Sequence, residues 1–163
     1  MKIKITDVFA GALGLMISGS VLASDGIDAA SAREVVAPFY QALNAGEDVE
    51  ALFARSLAES WTSCADNGSD CAPRAQVAGA IKGFHQAIPD LRWQIKELLV
   101  SGDSVIVRGE ASGTPAGELF GVAHGGKSFR IMSIDIHRIR DGRIAQSHHI
   151  EDWALAIRQL RAH

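Results

Sequence analysis

Hydrophobic residues in the first half of the chain recur three and four positions apart, which is the spacing of one face of a helix. The first such run follows Ser31-Ala32-Arg33-Glu34, whose hydroxyl and carboxylate have the spacing of a capping box, and Gly46 ends it. A second short run covers residues 47–57, and a third begins at Pro73 and ends at Pro89. We therefore predict three helices in this half of the chain.

From Leu91 onward, apolar and polar residues alternate instead, which is the period of a strand with two different faces. Asp141-Gly142 is a strong signal for a two-residue hairpin turn. The pattern predicts strands at 91–96, 105–109, 129–139 and 144–152, a glycine-rich irregular segment at 113–126, and a final helix at 153–161. Helices followed by an antiparallel meander predict an α+β fold, in which helices pack on one face of a strongly curved antiparallel sheet.

The N-terminal segment has the pattern of a secretory signal peptide. Lys2 and Lys4 precede an uncharged, largely apolar run from Val8 to Leu22, which ends in small and medium side chains. The run is shorter than the roughly 20 residues that span a bilayer. We predict that residues 1–23 are a cleaved signal and that residues 24–163 are one mature domain; an uncleaved anchor is the alternative interpretation.

Export to an oxidising compartment changes the interpretation of the two cysteines. Cys64 and Cys71 bracket a polar, glycine-containing loop, and their spacing is neither a CxxC motif nor a zinc pattern. We predict a disulfide between them in the periplasm or outside the cell. Two free thiols are the alternative if the signal prediction fails.

Composition places the chain among ordinary globular domains. Of its 163 residues, 47% are hydrophobic and 21% are charged, and the formal net charge is −3. A chain of this length predicts one domain, and the absence of a basic excess argues against a nucleic-acid partner. With the signal removed, no stable membrane insertion is expected.

The hairpin turn predicts which residues lie opposite each other on the last two strands. If Arg140 pairs with Arg143, Asp135 lies opposite His148, and His137 lies opposite Gln146. Because side chains alternate between faces, one face then carries a mixed set of polar and apolar groups. The polar members are Asp135, His137, Gln146, His148 and Asp152, among Ile131, Ile139, Ile144 and Ile150. A single bulge would exchange the faces beyond it.

Two carboxylates and two imidazoles on an apolar wall suit proton transfer at a carbon acid. One group takes the proton while donors stabilise the developing enolate. Burial raises the pKa of a carboxyl group, so either Asp135 or Asp152 could be tuned as the acid/base. The alternative is structural: Asp135–His148 would be a cross-strand ion pair and His137 a surface histidine.

Other kinds of site find less support in the sequence. His148 and His149 are adjacent on a predicted strand, so they point to opposite faces and do not suit one metal ion. No GxSxG elbow or phosphate-binding loop is present. We expect no metal and no cofactor, and we interpret Trp61 and Trp93 as core or cavity wall.

Several stretches of the chain resemble the SnoaL-like polyketide (ester) cyclases of the NTF2-like superfamily. The matching stretches are Phe39-Tyr40-Gln41-Ala42-Leu43-Asn44-Ala45-Gly46-Glu47-Asp48, residues 81–91, residues 102–108, residues 113–121, residues 134–144, Glu151-Asp152-Trp153 and Arg158-Gln159-Leu160. The resemblance implies a cone-shaped α+β fold that encloses a pocket, commonly as a dimer. It also implies an intramolecular aldol ring closure without metal or cofactor. Asp152 matches the family's acid/base aspartate, and His137 is matched to its assisting histidine.

Together these observations predict a periplasmic or secreted ester cyclase or isomerase that acts at a carbon next to a carbonyl of a hydrophobic small molecule, as a homodimer. The predicted catalytic residues are Asp152, His137 and His148. The predicted substrate-binding residues are Asp135, Gln146, Trp61, Trp93 and Phe39. The alternatives are a non-catalytic binding protein that uses the same pocket, and a hydrolase or dehydratase on the same fold.

Overall fold

A computed structural model describes residues 26–65, 70–123 and 125–162. The helices are α1 (Ala29–Ala42), α2 (Val49–Ser56), α3 (Arg74–Ala87) and α4 (Trp153–Arg161). The strands are β1 (Leu57–Cys64), β2 (Cys71–Pro73), β3 (Arg92–Ser101), β4 (Ser104–Gly113), β5 (Phe129–Arg140) and β6 (Arg143–Glu151). The predicted signal at 1–23 lies outside the described residues. Among those residues, no helix combines the length and hydrophobicity needed to cross a bilayer.

The strands form one six-stranded sheet in the order β2-β1-β6-β5-β4-β3. Strands β3 to β6 are the predicted antiparallel meander. The sheet as a whole is mixed, because β1 lies parallel to β6. The predicted α+β fold is confirmed, and the expectation of a purely antiparallel sheet is wrong at β1. That strand buries residues at uneven intervals, so its sequence lacks the alternation that marks a strand.

Helix α1 begins earlier than the capping-box pattern indicated. The carboxylate of Asp28 accepts hydrogen bonds from the backbone N–H groups of Ala30 and Ser31, both at 2.9 Å. Ser31 therefore lies inside the helix, and its hydroxyl donates back to Asp28 at 3.0 Å. The cap at Ser31 is wrong because the aspartate three residues upstream satisfies the free N–H groups first.

The hairpin between β5 and β6 has the predicted two-residue turn. Asp141 and Gly142 have φ angles of 50° and 69°, and Arg140 pairs with Arg143. These left-handed conformations are those of a type I′ turn. Beyond Ile139, which pairs with Ile144, the register shifts, so the rest of β6 is offset by one residue.

The hydrophobic core fills the space between the helices and the inward face of the sheet. The rings of Phe39 and Phe53 stack at 5.6 Å, and Trp61 lies 6.1 Å from Phe39. At the middle of β4, a Cβ on Gly109 would lie 2.5 Å from Ser133 Oγ and 2.9 Å from Trp93 Nε1. Glycine at this position therefore lets the Trp93 indole lie against the inward face of the sheet.

Candidate active site

A group of polar side chains lies buried on the inward face of β5 and β6. Asp135 and His137 are 0% exposed, and Ser133 and Ser147 are 1% exposed. The alternation of β5 explains three of them, because every second residue from Phe129 to Ile139 is buried. Buried polar groups of this kind are costly unless they are hydrogen-bonded. Their partners therefore define the site.

At the outer end of this group, the imidazole of His149 lies between two carboxylates. Its Nδ1 is 2.5 Å from Asp135 Oδ1, and its Nε2 is 2.8 Å from Glu151 Oε1. The indole N–H of Trp153 donates to the other oxygen of Glu151 at 2.8 Å. The side chains of His149 and Glu151 are 25% and 18% exposed, so this end of the group is the part that is accessible to solvent.

This environment favours the charged form of His149. Burial would lower the pKa of the ring, but the hydrogen bonds to Asp135 and Glu151, together with their negative charges, outweigh it and raise the pKa to about 10. At neutral pH the ring is therefore an imidazolium, and each of its nitrogens donates a proton to one carboxylate.

Deeper in the core, the group continues through four more side chains. Tyr40 Oη lies 2.8 Å from Asp135 Oδ2 and 2.9 Å from His137 Nε2. His137 Nδ1 lies 2.8 Å from Ser147 Oγ, which accepts the indole N–H of Trp61 at 2.9 Å. Asp135 is thus held from both sides.

Burial keeps the deeper groups neutral. It lowers the pKa of His137 to about 4; the charge of Asp135 opposes this shift and the charge of His149 adds to it. Burial, with the charge and hydrogen bond of Asp135, also raises the pKa of the Tyr40 phenol well above its ordinary value. At neutral pH the site therefore contains one imidazolium and one neutral imidazole.

Aromatic rings surround the exposed end of the site. The Trp93 ring lies 6.3 Å from the ring of His149. Trp153 stacks on Phe84 at 5.4 Å and contacts Phe120 at 5.1 Å, and Phe120 is 49% exposed. The carboxylate of Glu151 is thus positioned by an indole that also belongs to a partly open aromatic cluster.

The shift in register moves several predicted residues away from this site. His149 pairs with Asp135, and Ser147 pairs with His137, because β6 contains one extra residue, Ala145, between Ile144 and the next paired position. The predicted pairs with His148 and Gln146 are therefore wrong. Both lie on the opposite face of β6 from the buried polar group, and the Gln146 amide contacts Cys64 Sγ at 3.6 Å.

Asp152 does not join the buried group either. Its carboxylate is exposed and accepts a hydrogen bond from the backbone N–H of Leu155 at 2.8 Å, which caps α4. It also borders a depression of about 250 Å³ that Met132, Ile134, Ile150 and Glu151 line as well. The structure therefore does not bring Asp152 and His148 together with His137.

The other predicted site residues lie on the inward side of the sheet. Asp135, Trp61, Trp93 and Phe39 are all buried. The Phe39 ring contacts the ring of His137 at 5.1 Å, so this phenylalanine packs against the polar group. Of the predicted set, Asp135, His137, Trp61, Trp93 and Phe39 surround one buried centre.

Sequence analysis did not identify Tyr40, Ser147, His149 or Glu151 as site residues. The last three were assigned to the other face by the unbroken register, and only the bulge brings them inward. Tyr40 stands next to Phe39 in the helical pattern, and its position on the buried face could have suggested a role for its hydroxyl. Buried tyrosines usually need a hydrogen-bond partner.

The predicted disulfide between Cys64 and Cys71 is present. The two cysteines pair directly across β1 and β2, so the bond joins β1 to the short strand at the edge of the sheet. Within the described residues, no group of three or more His, Cys, Asp and Glu side chains is arranged to hold a metal ion.

Comparisons with known proteins agree with the fold and with the sequence resemblance. The profile of the SnoaL-like polyketide cyclase family matches residues 34–160. TsrD from Streptomyces laurentii is 27% identical, with a TM-score of 0.71 over 84% of this chain and 99% of TsrD. IdmH from Streptomyces antibioticus, described as a candidate polyketide cyclase, is 26% identical, with a TM-score of 0.69 over 78% of this chain and 96% of IdmH.

The similarity to a more distant structure extends to the fold only. A Catenulispora acidiphila protein with a ketosteroid isomerase-like fold is 18% identical, with a TM-score of 0.63 over 77% of this chain and 91% of its own. No curated protein sequence is significantly similar to the chain. The family profile covers most of the chain, including every strand of the meander. The chain therefore belongs to the SnoaL-like polyketide cyclase family.

Proposed function

We propose that this protein is a cofactor-independent enzyme of the ester cyclase or isomerase type, which moves a proton at a carbon next to a carbonyl of a hydrophobic small molecule. The observation that carries the proposal is the His149 imidazolium between Asp135 and Glu151 at the exposed end of an otherwise buried polar group. Such an arrangement combines a carboxylate base with a fixed positive charge, which are the two components that enolate chemistry requires.

In the proposed step, the Glu151 carboxylate takes the proton from the carbon next to the carbonyl. The electron pair of the C–H bond passes to the carbonyl oxygen and gives an enolate, which the His149 imidazolium stabilises by its charge. In a ring closure, the enolate carbon attacks a second carbonyl of the same molecule. The new alkoxide then takes this proton from the protonated Glu151, so the enzyme returns to its starting state.

The family resemblance supports a second assignment, in which Asp152 is the acid/base and His137 assists it; the hairpin pattern added His148 to this set. We prefer Glu151 and His149 because Asp152 is exposed and already caps α4. The two assignments concern neighbouring residues and predict different effects of single substitutions.

A hydrophobic substrate is supported by the aromatic cluster at the exposed end of the site. Phe120 and Trp153 contact each other and leave part of their rings open beside Glu151. Aromatic rings of this kind bind apolar or planar molecules through their large contact area. The substrate-binding role extends to Trp93, which packs beside His149.

The proposal also includes export and self-association. The disulfide is compatible with a periplasmic or secreted protein. A homodimer is supported by large apolar side chains on the outer face of the sheet, where Met132 is 51% and Ile150 is 67% exposed.

The alternative is a non-catalytic periplasmic protein that binds a small molecule at the same place. The burial of Asp135 and His137 favours it, because both are 0% exposed and their polar atoms are already paired. In this alternative, the polar group only stabilises the fold and a ligand rests on the aromatic cluster.

The proposal is tested by mass spectrometry of small molecules that co-purify with the protein from periplasmic extract. Each molecule is then incubated with the wild type and with the E151Q variant. Conversion by the wild type alone supports the enzyme. Binding by both proteins without conversion supports the binding protein.

A further inference from the structure

Four buried side chains form an unbroken hydrogen-bonded series that ends on Asp135. We call this series the inner chain; its members are Trp61, Ser147, His137 and Tyr40. It links four separate elements, because its side chains come from β1, β6, β5 and α1. Its Tyr40 hydroxyl meets the same carboxylate that holds His149.

The direction of every hydrogen bond in the inner chain follows from its last acceptor, the Asp135 carboxylate, which can only accept. The Tyr40 hydroxyl therefore donates to Asp135, so its oxygen accepts from Nε2–H of His137. A neutral imidazole with its proton on Nε2 accepts at Nδ1 from the Ser147 hydroxyl, whose oxygen accepts the Trp61 indole N–H.

The series continues in the same direction to the carboxylate. The His137 Nε2–H donates to the Tyr40 oxygen at 2.9 Å, and the Tyr40 O–H donates to Asp135 at 2.8 Å. Each member donates once to the next one. The inner chain therefore delivers one hydrogen bond to Asp135 without carrying a charge.

We propose that the inner chain is a positioning relay that fixes the Asp135 carboxylate, and that His137 serves in it as a neutral positioning residue. Asp135 is held at Oδ2 by Tyr40 and at Oδ1 by His149, so its plane is set by two donors from opposite sides. This relay deepens the proposed function, because the orientation of Asp135 sets that of the His149 ring.

The groups that face His149 are few. Asp135 from β5 and Glu151 from β6 hydrogen-bond to it, and the Trp93 ring from β3 packs beside it. Of the two carboxylates, only Asp135 is wholly buried. Loss of the Tyr40 hydroxyl would leave that carboxylate with one donor and free to rotate, which would loosen the His149 Nδ1–H bond.

The chain offers a matched pair of variants for the test. Ser147 and Ser133 are both buried serines that accept an indole N–H, at 2.9 Å from Trp61 and 3.2 Å from Trp93 respectively. S147A removes the inner chain at His137, whereas S133A removes an equivalent hydroxyl outside it. Both variants leave one indole N–H without its acceptor, and S147A alone also leaves His137 Nδ1 without its donor.

The readout is ¹⁵N NMR of the histidine rings in the resting protein at pH 7. We expect the wild type and S133A to show His137 with its proton on Nε2 and a hydrogen-bonded Nδ1, and S147A to keep the proton on Nε2 while its Nδ1 resonance moves towards that of a nitrogen without a donor. A wild-type His137 that is protonated on Nδ1, or on both nitrogens, overturns the proposal. So does an S133A spectrum that changes as much as that of S147A.

The Y40F variant tests the other end of the relay and keeps the ring packing of α1. We expect hydrogen exchange at His149 Nδ1 to accelerate about tenfold or more, which is the size of effect expected for a lost charge-assisted hydrogen bond. An unchanged exchange rate shows that the inner chain only satisfies buried polar groups. These measurements need no substrate, so their failure is distinct from a failure of the proposed enzyme activity.

Discussion

The Nδ1 atom of His149 lies 2.5 Å from Oδ1 of Asp135, and this ion pair joins the buried polar group to its exposed end. Asp135 has no exposed surface, whereas a quarter of the His149 side chain is accessible. A buried carboxylate of this kind depends on its charged partner, because the cost of removing it from water is otherwise uncompensated.

The H149Q variant should be strongly destabilised. Removal of the imidazolium leaves the Asp135 carboxylate buried without a counter-charge, which typically costs about 3–5 kcal/mol. Urea unfolding at pH 7 measures the loss in the free energy of unfolding. H148Q is the matched control, since the neighbouring histidine lies on the opposite face, and we expect it to change stability by only about 0.5 kcal/mol. Equal effects of the two variants would contradict the assigned register.

The wild type should lose stability as the pH rises from about 6.5 towards 10. The pKa of His149 is raised to about 10 in the folded protein, above its unfolded value of about 6.5. Its contribution is therefore complete below pH 6.5 and disappears as the pH passes through the folded pKa. Urea unfolding across this range checks the slope. H148Q should keep this decrease of unfolding free energy with pH, and H149Q should lose it. A wild type whose stability does not decrease over this range would show that His149 is not an imidazolium in the folded protein.

The wild type should also lose stability as the pH falls from about 6.5 towards 4, because of His137. Its pKa is lowered to about 4 by burial, so the unfolded chain binds a proton more readily between pH 6.5 and 4. The contribution of the neutral His137 ring to the free energy of unfolding is complete above pH 6.5 and is lost as the pH falls through this window. We expect the difference in unfolding free energy between wild type and H137Q to shrink over that range. A constant difference would mean that His137 is protonated in the core.

The spacing of hydrophobic and polar residues along the chain predicts most of the fold but only about half of the site. The hairpin turn is local, and Asp141-Gly142 favours its φ angles directly. The alternation of β5 is also local, so the placement of Asp135 and His137 on one face was correct. Both predictions needed only residues close together in the sequence.

The bulge at Ala145 could not be predicted in the same way. It depends on how β6 fits between β5 and the parallel strand β1, which comes from residues more than 80 positions earlier. Offset by one residue, His149 and Glu151 face inward in place of His148 and Asp152. A strand has a side-chain period of two, so one extra residue exchanges its faces completely.

Reduction of the disulfide should weaken the protein without unfolding it. Cys64 and Cys71 are separated by seven positions, and closing so short a loop contributes about 2.5 kcal/mol in the chain-entropy account. Urea unfolding with and without a reductant measures the difference. The C64S/C71S double variant controls for effects of the reductant, because it should match the reduced wild type and be insensitive to reduction. A stable protein with no response to reduction would contradict a structural role for the bond.

The two assignments of the acid/base group make opposite predictions for one pair of variants. E151Q removes the proposed base but keeps the shape of the side chain and its contact with Trp153. D152N keeps the cap of α4, because asparagine is as good an N-cap as aspartate. Circular dichroism on both variants confirms that each is folded before activity is compared.

The most direct measurement is deuterium uptake from D₂O into the carbon next to the carbonyl, followed by ¹H NMR, with a series of aryl-substituted β-keto esters as probes. We predict that the wild type accelerates this exchange, that E151Q loses the acceleration by about 10²–10⁴-fold, and that D152N keeps most of it. Undiminished exchange by E151Q, together with its loss in D152N, would contradict the account and return the acid/base role to Asp152.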